Sequence, residues 1–132
     1  MQILVLYLVT VVVFLGLDAV MLKSVMRPLF EEHVGAWLLD SLRLGPAVLF
    51  YMFYVGGVVW FASYPALKSG LPVQALLSGA LIGALAYGTY EFTNYATLRL
   101  WAPQMVALDL AWGTVLTGVS AWAGVMAARA IG

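Results

Sequence analysis

Apolar positions fall in four long runs, and nearly every ionisable residue sits between those runs or at their ends. A helix that crosses a bilayer needs about 20 mostly apolar residues. The runs at 3–22, 46–64, 73–98 and 103–128 each meet that length. Pro46, Pro72 and Pro103 stand at or just before three of the starts, where a missing N–H costs nothing. The first run lacks a basic leader and a small-x-small cleavage site, so it is expected to be a retained span and not a signal peptide.

The segment between the first two runs follows a different pattern. Phe30, Val34, Trp37, Leu38 and Leu42 recur at helical spacing, while Glu31, Glu32, Asp40 and Arg43 fall largely on the other side. This pattern predicts an amphipathic helix lying in the membrane interface, with Pro28 near its start. The other two connections are short, which makes consecutive spans antiparallel neighbours. The expected fold is an all-α membrane protein. Residues 1–132 form one domain, a compact bundle of four transmembrane helices with both termini on one side. Gly79, Gly83 and Gly88 suggest that the third helix packs at the bundle centre, with Gly113, Thr117 and Gly124 allowing close approach on the fourth. The glycine-rich stretch at 79–88 lies inside a span, so it is not a nucleotide loop.

Composition narrows the class further. Hydrophobic residues make up 64% of the chain and charged residues 9%, with a mean hydropathy of +1.01. A soluble domain carries about a quarter charged residues, so neither a water-soluble globule nor a disordered chain fits. Six basic and six acidic residues cancel, which leaves no electrostatic footprint for nucleic acid. The absence of cysteine excludes disulfides, thiolate metal sites and iron–sulfur clusters. One histidine excludes bis-histidine haem and metalloprotease motifs, and no lysine lies mid-span to hold a Schiff base. No metal site and no cofactor is expected. Lys23, Arg27, Arg43 and Arg99 flank one side of the membrane, against Lys68 and Arg129 on the other. That bias places the first and third connections in the cytoplasm.

Three carboxylates break the apolar pattern. Asp18 lies five residues before Lys23, Glu91 eight before Arg99, and Asp109 six after Pro103. At helical rise all three come out roughly 7–12 Å inside the same boundary. Helix 2 begins there and adds Tyr51 and Tyr54, while Tyr87, Asn94 and Tyr95 share the Glu91 face of helix 3. On helix 4, Asp109, Trp112 and Gly113 form one stripe. Lipid cannot solvate an acid, so these residues are expected to face a buried polar chamber roofed by the amphipathic connection. Three close carboxylates in a low dielectric cannot all be ionised. Such a group can hold protons, attract a cation or act in acid–base chemistry. Its bland counterpart is a set of protonated acids that only tie helices together. Tyr7, Trp60, Tyr64 and Trp101 read as interfacial belt or packing residues, and His33 as an interface residue.

The stretch YGTYEFTNYATL at 87–98 and DLAWGT at 109–114, with Leu17-Asp18 and FYMFY at 50–54, resembles the DUF2177 family of small bacterial predicted membrane proteins. The resemblance covers essentially the whole chain. It implies a multi-pass protein of the bacterial inner membrane and supplies no activity. The leading functional expectation is therefore a membrane binding or transport protein that uses Asp18, Glu91 and Asp109 for protons, a cation or a small amphiphile. Asn94, Tyr51, Tyr54, Tyr87 and Trp112 would line its chamber. A lipid- or isoprenoid-modifying enzyme is the first alternative and an accessory subunit of a larger complex the second. The expected partners are the lipid bilayer and a second copy of the chain or a larger membrane complex.

Overall fold

Four helices account for the fold in a computed structural model that describes residues 1–38 and 43–132. They are α1 (Gln2–Trp37), α2 (Leu44–Ser69), α3 (Pro72–Thr97) and α4 (Pro103–Ile131), each long and apolar enough to cross a membrane. No strand occurs among the described residues. The α2–α3 turn closes on Gly70, whose φ of 74° caps α2 in the left-handed region that glycine adopts without strain.

Two helices run further than the sequence pattern predicts. α1 does not end near residue 22 but continues through a π-helical turn, Leu22–Met26, into the helical segment Arg27–Val34. α2 does not end before Pro65 but passes through the π-helical turn Val59–Ser63 and continues to Ser69. Pro28 and Pro65 each sit two residues beyond such a turn. A proline inside an α-helix lacks its N–H and clashes with the carbonyl four residues back. A π-turn widens the backbone and shifts the hydrogen-bond register, so the ring is accommodated and the helix goes on.

The first half of the amphipathic segment is therefore an extension of α1, and Asp40 and Leu42 lie outside the described residues. Val34 is 2% exposed and packs with Trp101, Met105 and Val106 at the α3–α4 turn, while Glu31 and Glu32 are exposed. Arg27 pairs with Glu31 at 2.8 Å, one helical turn on. The His33 ring nitrogen Nδ1 bonds the Leu29 carbonyl. In this cysteine-free chain, Glu31→Cys and Glu32→Cys should react rapidly with a water-soluble maleimide and Val34→Cys slowly. Equal rates at the three positions would show that the segment is not docked.

The bundle centre is α4, not α3 as the glycine pattern suggested. Eleven α4 residues are buried, against four in α3 and four in the α-helical Gln2–Met21 part of α1. Small residues set this arrangement. A Cβ added to Gly79 would come within 3.0 Å of Ala121 Cβ and the Thr117 carbonyl, and one on Gly83 would overlap the Gly113 carbonyl. On the other flank of α4, a Cβ on Gly124 would overlap Thr10 Oγ1 of α1. Gly88 also faces α4, though less tightly: a Cβ there would come within 3.3 Å of the flexible Leu110 Cδ1 and of no backbone. α2 packs on the bundle along its second half, where Ser63 Oγ donates to the Ala121 carbonyl at 3.4 Å. Its first half stands apart from α3 and is held mainly by α1, where the Phe14 ring lies 5.6 Å from both Tyr51, tilted, and Tyr54, edge-on.

Candidate functional site

Helix direction brings the acids together. α1 approaches its π-turn at Asp18, α3 nears its end at Glu91, and α4 is two turns old at Asp109. Each acid lies on a helix that touches α4 or belongs to it, so the small-residue seam that pulls α1 and α3 onto α4 also draws the carboxyls inward.

Glu91 is 0% exposed. Its Oε1 accepts a hydrogen bond from Trp101 Nε1 at 2.8 Å. Its Oε2 is buried and meets no donor among the described residues, yet the Asp109 carboxyl lies within hydrogen-bonding reach of Glu91. Two carboxyls can bond each other only when a proton lies between them. Asp18 occupies a second lobe, where Trp112 Nε1 donates to its Oδ1 at 3.2 Å and the Tyr51 hydroxyl is in reach. Asp109 is the electrostatic neighbour of Asp18 as well as Glu91, so it links the two lobes. None of the three acids pairs with a Lys or Arg among the described residues.

The aromatic residues divide between these lobes and the space beside them. Tyr54 shares a hydrogen bond with Thr117 Oγ1 at 3.0 Å. The Tyr87 ring lies against Gly113, and its buried hydroxyl has no partner among the described residues. Asn94 is in reach of the Tyr90 hydroxyl. Tyr95 is exposed.

Of the two readings for Trp101, belt or packing, its burial fits packing. It is 8% exposed, stacks edge-on with Phe30 at 5.3 Å and Tyr90 at 5.9 Å, and holds Glu91. It reaches Glu91 from the α3–α4 turn, ten residues on, and no helical spacing signals such a contact. Thr117 and Tyr90 were also missed. Thr117 carried a signal, since it lies eight residues after Asp109 on a helix whose facing positions repeat at four and seven.

Chemically, the arrangement suits proton binding. Among the described residues no group of three or more His, Cys, Asp and Glu is disposed to hold a metal ion. Two neighbouring carboxyls can share one proton in a hydrogen bond, which neither can do alone.

No curated protein and no solved structure matches the chain. Residues 3–126 match the family model described as predicted membrane protein, DUF2177. The chain belongs to that family, and with its four spanning helices it is a multi-pass membrane protein.

Proposed function

We propose that this DUF2177 member is a membrane binding and transport protein in which the Glu91–Asp109 pair takes up and releases a proton while Asp18 holds a neighbouring charge. One observation carries the reading. Glu91 Oε2 is buried without a donor among the described residues, and a proton shared with the neighbouring Asp109 carboxyl would supply one. A purely structural acid would have both oxygens satisfied by fixed donors, as Trp101 satisfies Oε1. The basic residues Lys23, Arg27, Arg43 and Arg99 support an inner-membrane orientation with the acid end in the cytoplasm. Four helices make a thin wall around a pathway, which favours a homodimer as the working unit.

Infrared spectroscopy of the protein in lipid tests the proton directly. A protonated-carboxyl stretch should be present at neutral pH and shift in D₂O. It should vanish in Asp109→Asn, because the Asn amide then donates to an ionised Glu91. Absence of the band in the wild type, or its survival in both Asp109→Asn and Glu91→Gln, would defeat the reading.

A further inference from the structure

Because the first half of α2 stands away from α3, a cleft of about 700 Å³ opens between them. Tyr51 and Tyr54 form one wall, Tyr87 and Tyr90 the other, and Phe50 borders it. A second cavity of about 480 Å³ shares Phe50 and Tyr54 with the first and continues along α2 past Gly56 and Gly57 to Phe61. Gly57 borders open space, since a Cβ there would have no atom within 4 Å. Phe50, Phe53, Phe61 and Tyr90 are exposed within the spanning helices, so both cavities open sideways.

The two spaces differ in chemistry. The first has four phenols with carboxyls behind them: the Tyr51 hydroxyl reaches Asp18, and the orphan Tyr87 hydroxyl has Asp18 and Asp109 as electrostatic neighbours. Aromatic faces and carboxylates both attract cations, and aromatic cages recognise alkylated ammonium groups. The second space is bordered by Phe, Met, Gly, Val and Ile side chains apart from Tyr54, and offers a hydrocarbon chain nothing polar to bury. The volumes lie in the range of small-molecule sites.

We infer that the α2–α3 cleft binds a single-chain cationic amphiphile from the bilayer, its ammonium group among Tyr51, Tyr54, Tyr87 and Tyr90 beside Asp18 and its chain along Gly56 and Gly57. This inference names the ligand class for the binding function proposed above and rests on that reading. Charge complementarity selects the occupant. A carboxylate amphiphile would meet Asp18 with like charge, and a phosphate-bearing zwitterion would bring its anionic group against the same acids.

The test uses the full chain in phosphatidylcholine nanodiscs and a photoreactive alkyl-trimethylammonium probe, with labelled peptides mapped by mass spectrometry. Labelling should fall on α2 before residue 58 and on α3 after residue 86. Dodecyltrimethylammonium should suppress it at a concentration about tenfold or more below that needed with dodecylphosphocholine or dodecanoate. That preference should shrink in Asp18→Asn, and Ala86→Trp, which fills the exposed cleft wall, should abolish labelling. Equal competition by the three amphiphiles would overturn the inference, as would full labelling in Ala86→Trp. The infrared band reads the carboxyl pair independently. Its loss with ammonium preference intact would remove the proton and leave the site standing; the reverse result would remove the ligand and leave the proton.

Discussion

Replacing Gly83 by leucine should unfold the bundle in detergent. The smallest side chain at this position already places its Cβ onto the Gly113 carbonyl oxygen and 2.9 Å from both Gly113 C and Thr117 Cβ. Backbone on the partner helix cannot rotate aside as a flexible side chain can. The two central helices would have to separate, exposing a seam that includes Thr117, Gly118 and Ala121. We expect a loss of about 4 kcal/mol or more, beyond the usual range for overpacking. Gly57→Leu is the control, with open space around its Cβ, and should fall within about 0.5 kcal/mol of the wild type. Thermal unfolding followed by circular dichroism separates the two outcomes. If Gly83→Leu melts with the wild type, the α3–α4 seam is not where the structure puts it.

Glu91 should split by substitution. Glu91→Ala removes a fully buried side chain, leaves the Trp101 indole N–H without its acceptor, and strands Asp109 without its carboxyl neighbour. A cavity and broken buried hydrogen bonds together should cost about 3–5 kcal/mol. Glu91→Gln is different. Its amide oxygen can accept from Trp101, and its amide nitrogen can donate to Asp109 where the shared proton lay. Stability should stay within about 1 kcal/mol of the wild type, because both amide atoms of the glutamine find partners at the pair. The proton is then replaced by a fixed donor, and pH-driven exchange at the pair should cease. A Glu91→Gln protein as unstable as Glu91→Ala would mean that the glutamine does not reproduce these bonds.

The four spans were legible because lipid imposes one rule on every backbone group, and apolar runs of sufficient length are its direct expression. Depth was legible for the same reason: helix direction and rise locate Asp18, Glu91 and Asp109 at one level. What failed was reading across elements. Pro28 and Pro65 look like helix ends until a π-turn two residues upstream makes room for them, and no local residue pattern announces that turn. The centre of the bundle was misplaced because glycines on α3 and small residues on α4 describe the same seam from both sides. Contacts on the other flank, such as Gly124 against Thr10, show that α4 is the helix shared by two partners. Trp101 lay in a turn, where helical spacing carries no information. Asn94 shares a helical face with Glu91 and lies in reach of Tyr90, a partner that the face alone does not announce.

The central place of α4 also dictates the order in which the protein can come into being. Of the four spans it is the last to leave the ribosome, and α1 and α3 are joined chiefly through it. Until it inserts, the first three spans meet one another chiefly through the second half of α2. Glu91 meanwhile sits in lipid without Asp109, which arrives on the missing helix. An unassembled carboxyl at that depth is costly, and pairing with α4 relieves the cost. Biogenesis therefore closes on a single late event, in which the seam locks and the acid is sheltered in the same step. Nascent chains halted before that event should leave the Glu91 carboxyl open to the bilayer.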